Sequence, residues 1–598
     1  MTPLPRLTTR ALARAVRSTP LHRTELLLEL DLSRGLLEAP PASPAGLVRG
    51  FGKPTLRDVI AAIEKAADDD RVRGLVAHIG AWQPGLARSY ELRRAVTRLR
   101  ASGRRTIAWS ESFGELGPGN TGYHLASAFE QVWLQPSGQV GLVGLTAEAV
   151  FLRGSLDKLG VEPQVSQRYE YKTAADTFVA EGMTEAHREM LGRLVESGME
   201  TLVGDVAGSR GLTVDQVRAA VDVAPLSATE AVERGLVDRL GYRHDVYAAA
   251  REGLEDVDLL FVERYGRSRR AGLPNLGQRP TVAVVAASGA IRLGRSGGPP
   301  MSGRSIGSDT LGAALRAAGR DESVRAVVLR LDTPGGSYVA SDTLRQEVLA
   351  LRGTGTTVVA SMGAVAASGG YFVAMPCEKV VATPGTLTGS IGVLAGKQVL
   401  APALARVGIR RERVVAGRYA DMFSSDRPFD DQEWGRLEAW LDAVYADFTA
   451  KAAQDRGMDV DRLRSLARGR VWTGADAVEH GLVDQTGGLT DAVDVACLLA
   501  GLDRSQAQVR PYPHVNPLQR LVPAQNSESP TQASEATPGP AHGLGSVLAA
   551  SVGPGPLPGL VSGLADLGVE GVPWVDQLLA AVGMPYGALS LPWRLTIH

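Results

Sequence analysis

In the second half of the chain, short apolar runs rich in β-branched residues alternate with stretches of helical periodicity. Thr281–Ala287, Ala326–Leu331, Thr357–Ser361 and Lys379–Ala382 predict buried strands, and Ser308–Ala318 and Ser341–Leu351 predict helices between them. Such strand–helix alternation predicts an α/β layer structure with mainly parallel strands. No apolar run reaches the roughly 18 residues of a transmembrane helix. The short stretch Leu26–Leu28 is closed by Glu29 and Asp31, so no secretory core is expected there.

The pattern repeats at an offset of about 250 residues. Val72-Arg-Gly-Leu-Val-Ala-His-Ile79 parallels Val324-Arg-Ala-Val-Val-Leu-Arg-Leu331. Ala231-Val-Glu-Arg-Gly-Leu-Val-Asp238 parallels Ala477-Val-Glu-His-Gly-Leu-Val-Asp484, and Gly122-Tyr123 falls opposite Gly370-Tyr371. Three matches in one order indicate two copies of one domain, over 24–265 and 280–505. A linker rich in Arg, Gly and Pro (266–279) joins them. Residues 1–23 form a basic arm, either a solvated terminus or a contact for a membrane surface. Residues 506–598 have no counterpart in the first copy. A Ser/Pro/Gln/Ala tract, Pro523–Gly545, leads into an apolar stretch, 544–591, broken by Gly and Pro. That stretch is expected to dock on the body or join an oligomer interface rather than lie on a membrane.

Bulk charge narrows the function classes. The net charge is -1 and the isoelectric point about 6.8, which gives no electrostatic case for nucleic acid. Two cysteines, Cys377 and Cys497, are too few for a disulfide framework or a zinc site and read as reduced, buried thiols. Of 64 basic residues only seven are lysines. This matters because arginine cannot give up its proton in a protein, whereas lysine can.

Candidate chemistry lies at two turns. Ala364-Val-Ala-Ala-Ser-Gly-Gly-Tyr371 follows a strand and opens a helical pattern. A serine there, among small residues, is open to a substrate carbonyl, and the helix start offers free N–H groups to an oxyanion. Asp332-Thr-Pro-Gly-Gly-Ser337 ends another strand, and its glycines allow close backbone approach. An N–H from Gly335 or Gly336, together with that of Gly369, could hold one oxyanion. The first copy has Asn120 where the second has Ser368, and Trp82-Gln-Pro-Gly85 where the second has its glycine pair. It carries Lys172 in Tyr169-Glu-Tyr-Lys-Thr173, where the second copy reads Gly417-Arg-Tyr-Ala-Asp421. Each copy therefore holds a part that the other lacks. A lysine buried at a domain junction can lose its charge and serve a serine as base.

Tyr171-Lys172-Thr173, Thr333-Pro-Gly-Gly-Ser337, Ala367-Ser-Gly-Gly370 and Leu387-Thr-Gly-Ser-Ile-Gly392 together resemble the signal peptide peptidase A (protease IV) family in its long, duplicated form. The resemblance implies a Ser–Lys dyad with Ser368 as nucleophile and Lys172 as general base. It also implies Ser390 as a second serine on the lysine, and Gly336 (or Gly335) with Gly369 as oxyanion donors. It further implies the Clp protease/crotonase-like fold built from ββα units, and short, apolar, unfolded peptide substrates such as cleaved signal peptides. A homo-oligomer, a tetramer by the same resemblance, is implied as well, and no cofactor is expected. Asp332-Thr333 departs from the family's more usual Asn-Ser. Many members carry an N-terminal membrane anchor that is not seen here, so the expected location is cytoplasmic or peripheral to a membrane.

Other signals weigh less. Gly392-Val-Leu-Ala-Gly-Lys397 is one residue short of a phosphate loop and lacks the hydroxyl after the lysine. The nine histidines show no metal-ligand spacing. His124, in register with Phe372, reads as structural. Trp434, Trp440, Tyr445 and Phe448 recur at helical spacing and read as core or interface. Two other functions stay open at this level: a crotonase-like enzyme acting on acyl thioesters, and a silent scaffold at a membrane.

Overall fold

The computed structural model describes residues 25–38, 53–115, 117–254, 257–268, 279–296, 305–513 and 589–590. The expected N-terminal arm, most of the linker and nearly all of the C-terminal extension lie outside the described residues.

Each copy is built on a parallel sheet, and the two sheets have the same strand order. In the first copy the order is Arg239–Leu240, Gln131–Leu134, Arg105–Ser110, Val72–His78, Glu25–Asp31, Val257–Phe261. In the second it is Gln485–Thr486, Lys379–Ala382, Thr357–Ala367, Val324–Thr333, Thr281–Ser288, Gln508–Tyr512. The last of these strands lies beyond residue 505. Helices cover both faces. In the second copy Ser308–Arg320 and Tyr338–Gly353 fill the larger core with Leu315, Leu344 and Val348, and Leu489–Leu499 closes the opposite face with Val493 and Ala496. Strands buried on both faces read as continuous apolar runs, which is why the sequence marked them.

The repeated motifs have the same work in each copy. Tyr123 OH donates to Leu236 O at 2.7 Å, and Tyr371 OH donates to Leu482 O at 3.0 Å. Asp238 accepts the Val132 N–H and Asp484 the Val380 N–H, each closing the start of a strand. Arg210 and Arg456 pair with those carboxylates at 2.7 and 2.9 Å.

One strand ran further than the apolar pattern implied. Thr357–Ala367 continues past Ser361 through Gly363 and three alanines, residues of low β propensity. Pairing holds this extension: Val365, Ala366 and Ala367 lie opposite Leu387, Thr388 and Gly389. Leu387–Gly389 is in turn held antiparallel by Val471–Thr473. The strand therefore delivers the chain directly to Ser368.

A ribbon joins the copies. Glu162–Arg168 of the first pairs antiparallel with Val393–Val399 of the second, Arg168 opposite Val393. Arg168 is anchored by Glu438 at 2.6 Å. Further ties reinforce the junction: Arg330 contacts Glu91 at 2.6 Å and Glu38 at 2.9 Å, Arg193 contacts Asp476 at 2.7 Å, and the Ser197 and Thr473 hydroxyls meet at 2.7 Å. No helix among the described residues is long and apolar enough to cross a membrane.

Candidate active site

The ribbon register decides what meets at the junction. Lys172 follows the end of one ribbon strand by four residues, and Ser390 precedes the start of the other by three. Because Arg168 and Val393 are opposite each other, the two segments converge on the end of the Thr357–Ala367 strand. There Lys172 Nζ lies 2.9 Å from Ser368 Oγ, 2.9 Å from Ser390 Oγ and 3.1 Å from Ser390 O.

Ser368 caps the helix Gly369–Ala374 with φ 55° and ψ -114°. Ser390 has φ 51° and Arg468 φ 53°, so all three non-glycine residues of positive φ among those described lie around this one point. Such backbone costs of order 1–3 kcal/mol each and persists only where surrounding structure imposes it. Here Ser368 N–H donates to Gly389 O at 2.8 Å and Ser390 N–H to Arg470 O at 2.7 Å.

Lys172 is 1% exposed, and among the described residues no carboxylate pairs with its amine. Burial alone brings its pKa down from the ordinary value of 10.5 to about 7. A neutral amine has two N–H groups and one lone pair. Two donated bonds to Ser390 and one accepted from the Ser368 hydroxyl use all three.

The glycines form the opposite wall. Gly369 begins its helix, so its N–H has no acceptor within that helix. A Cβ built on Gly369 would lie 3.2 Å from Gly336 N, which places the two amides side by side. A Cβ on Gly336, at φ 152°, would lie 2.1 Å from Ile291 O, so only glycine fits. Gly335 differs: its N–H is taken by Thr333 Oγ1 at 3.1 Å. Of the two glycines left open by the sequence, Gly336 is the one whose amide nitrogen lies beside Gly369.

Sequence reasoning missed Gly469. Its N–H donates to Ile391 O at 2.8 Å, and a Cβ on it would lie 2.5 Å from Lys172 N and Cβ. It forms the floor under the lysine, but nothing in the short run Arg468-Gly-Arg470 signals this. Ser341, whose Oγ a Gly369 Cβ would meet at 2.6 Å, was hidden inside a helical pattern.

In the first copy, Asn120 occupies the corresponding helix start without such a site. Its Nδ2 donates to Gly144 O at 2.7 Å and its Oδ1 accepts Gly144 N–H at 3.2 Å. His124 is buried, as expected of a structural residue. It joins Ser89 Oγ (2.6 Å) and Asp205 Oδ2 (2.8 Å) in a Ser–His–Asp chain. Ser89 and His124 are fully buried. Burial first, and Arg93 second, lower the His124 pKa to about 4, so the ring is a neutral strut between three helices.

Gly392–Lys397 runs mostly within the ribbon strand and makes no loop; Lys397 Nζ donates to Met422 O at 2.6 Å. Cys377 and Cys497 are free and buried. Tyr445 and Phe448 are buried on the helix Asp431–Arg456, whereas Trp440 is exposed. No cluster of His, Cys, Asp or Glu among the described residues could hold a metal ion.

A hydroxyl 2.9 Å from a buried amine of lowered pKa, beside two neighbouring glycine amides, is the equipment of a serine-type peptidase. Comparison with known proteins agrees and is more specific. The model of peptidase family S49 matches twice, over residues 101–258 and 350–503, and the chain belongs to that family. "Serine protease SPPA, chloroplastic" of Arabidopsis thaliana is 33% identical over 439 residues, 72% of this chain and 64% of that protein. "Protease 4" of Salmonella typhi is 32% identical over 464 residues, 75% of this chain and 72% of that one. Among solved structures, a ClpP1 mutant from Listeria monocytogenes matches 35% of this chain and 94% of its own at 13% identity, with a TM-score of 0.22.

Proposed function

We propose that this peptidase cleaves short, apolar, unfolded peptides, such as cleaved signal peptides, through an acyl-enzyme on Ser368. The single observation that carries the reading is the 2.9 Å approach of Lys172 Nζ, whose pKa burial lowers to about 7, to Ser368 Oγ. Neutral Lys172 takes the Ser368 proton as the oxygen attacks the scissile carbonyl. The Gly336 and Gly369 amides receive the oxyanion. The ammonium, held by Ser390, gives its proton to the leaving amine. Lys172 is then neutral again and activates the water that releases the acyl group.

The same reading divides the chain into an arm (1–23), a first copy supplying the base (24–265), a linker (266–279), a second copy supplying the nucleophile (280–505) and an extension (506–598). The strand Gln508–Tyr512 stands at the head of that extension. It also holds each copy to be a Clp protease/crotonase-like unit, supported by the shared parallel strand order. Assembly into a homo-oligomer, a tetramer, is supported by the exposed apolar side chains Val407, Ile409, Val414, Val415 and Phe423 on one stretch of the second copy. Peripheral membrane contact belongs to the reading through the basic residues of the arm.

The test is hydrolysis of an unstructured apolar peptide. Ser368→Ala and Lys172→Ala should each abolish it, and Lys172→Arg should be as inactive as the alanine variant, because it keeps the charge but cannot act as a base. Full activity in any of these three would refute the dyad. A fluorophosphonate should label Ser368 in the wild type. Labelling with no peptide cleavage on any sequence would move the enzyme to another acyl substrate.

A further inference from the structure

Glu189 stands outside the dyad but touches a residue beside each side of it. It lies on the helix Glu185–Arg210 of the first copy, whose start is capped by Thr184 Oγ1 accepting the His187 N–H. That helix leans on the second copy. Val471 N–H donates to Met190 Sδ at 3.3 Å, and Met190, Leu191 and Leu194 share a buried cluster with Leu387 and Val471. Leu387 begins the strand that holds Val365–Ala367, the run that ends at Ser368.

Half exposed beside this cluster, the Glu189 carboxylate bridges the two copies. Its Oε2 accepts the Tyr171 hydroxyl at 2.8 Å, and its Oε1 accepts an Arg470 Nη1–H at 2.8 Å. The Arg470 guanidinium closes the triangle, 4.8 Å from the centre of the Tyr171 ring. Tyr171 directly precedes Lys172. Arg470 directly follows Gly469, the floor under the lysine, and its carbonyl oxygen accepts the Ser390 N–H at 2.7 Å. One carboxylate thus spans from the chain that carries the base to the turn that holds Ser390. The Tyr171 and Arg470 bonds keep the Glu189 carboxyl below its ordinary titration range, so the bridge stands throughout neutral pH.

We propose that Glu189 is a positioning residue of the dyad, tying Tyr171 to Arg470 so that Lys172 and Ser390 stay in register across the junction. The inference rests on the Ser–Lys reading above and adds a residue to it. Position matters because Lys172 Nζ must meet two hydroxyls at once, each 2.9 Å away. A misplacement of about 1 Å can cost about 100-fold in rate. An exposed ion pair adds little to the stability of a fold, so the bridge serves geometry rather than folding.

The experiment uses the full chain and measures hydrolysis of an unstructured apolar peptide, together with labelling of Ser368 by a fluorophosphonate. Glu189→Ala should lower kcat about 10- to 100-fold with KM unchanged, slow labelling by a similar factor, and leave the urea midpoint of unfolding in place. With the bridge gone, water reaches the lysine amine. The acid limb of kcat/KM, set by a pKa of about 7 in the wild type, should then move up by about one pH unit. Glu189→Gln can still accept from Arg470 and donate to the Tyr171 oxygen, so it should recover most of the rate and the wild-type limb. Tyr171→Phe should cost less than Glu189→Ala and, combined with it, add nothing. Wild-type kcat and an unmoved limb in Glu189→Ala would overturn the proposal. So would a loss that falls equally on Glu189→Gln, or one to which Tyr171→Phe adds in full. A loss of rate matched by a lower urea midpoint would make the residue merely structural and overturn it too. Slower labelling of Glu189→Ala with no peptide cleavage by either protein would sustain the positioning role and refute the peptide substrate. Peptide cleavage untouched by the substitution would refute the positioning role and leave the peptidase standing.

Discussion

Replacing Lys172 by methionine should abolish activity and stabilise the fold at neutral pH, and the gain should reverse in alkali. In the unfolded chain Lys172 titrates near 10.5, and in the native site at about 7. Between those values the unfolded state holds a proton that the native state lacks, so wild-type stability rises with pH through this window. The burden of burying the lysine is greatest below pH 7, at about 5 kcal/mol, is still about 4 kcal/mol at pH 7, and vanishes above pH 10.5. Methionine has similar length, no charge and no branching, so it fits the same channel. Its own cost is the loss of partners for buried Ser368 and Ser390 oxygens, about 1–3 kcal/mol. The net expectation is a variant more stable by about 1–3 kcal/mol at pH 7 and less stable by about 1–3 kcal/mol at pH 10.5.

Urea unfolding of both proteins at intervals from pH 6.5 to 10 measures this directly. The stability difference should change by about 1.4 kcal/mol per pH unit and cross zero within the range. A difference independent of pH would refute the argument, because it would mean that Lys172 keeps its proton in the native state. The same titration governs catalysis: kcat/KM should level off above about pH 7 and fall about tenfold per pH unit below it.

The other expectations concern single positions. Ser390→Ala removes one of the partners of Lys172 Nζ and should lower kcat about 10- to 100-fold with little change in KM, as steady-state kinetics would show. Gly336→Ala drives a Cβ to 2.1 Å from Ile291 O and displaces the amide beside Gly369; kcat should fall by the roughly 2.7–4 kcal/mol of a lost oxyanion donor. His124→Ala should destabilise the first copy by about 1–3 kcal/mol in urea, by unpairing Ser89 and Asp205, while kcat of the folded protein stays unchanged.

What the sequence revealed follows what its physics makes local. Buried parallel strands are apolar throughout, so Lys379–Ala382 could be read to the residue, and the duplication could be read from the paired Tyr, Asp and Gly-Leu-Val positions that close each copy in the same way. Ser368, Lys172 and Ser390 could be named because each sits in its own short motif. Their meeting could not be read from spacing alone, because it depends on a ribbon whose strands lie more than 200 residues apart, such as Arg168 and Val393. Gly469 escaped for the same reason: its partner is not its neighbour in the chain but the lysine of the other copy. The Gly335 N–H is taken by one hydroxyl, that of Thr333, which the sequence could place next to the turn but could not aim.

The two copies show what the same helix start costs with and without its partner. In the first copy Asn120 satisfies the loop from within, bridging both the N–H and the C=O of Gly144. In the second, Ser368 is held at positive φ and its hydroxyl is turned to a lysine whose burial costs about 4 kcal/mol at pH 7. Strain and an uncharged buried lysine persist only where the surrounding structure is strong enough to impose them. The junction is such a place: the ribbon fixes Lys172 from one side, the Arg468–Arg470 turn fixes it from the other, and the buried Arg330–Glu91–Glu38 cluster ties the copies behind it. The ribbon carries Lys172 across from one copy to Ser368 of the other. Asn120 and Ser368 thus stand at matching helix starts with different partners, and the first copy's part at the junction is a buried lysine.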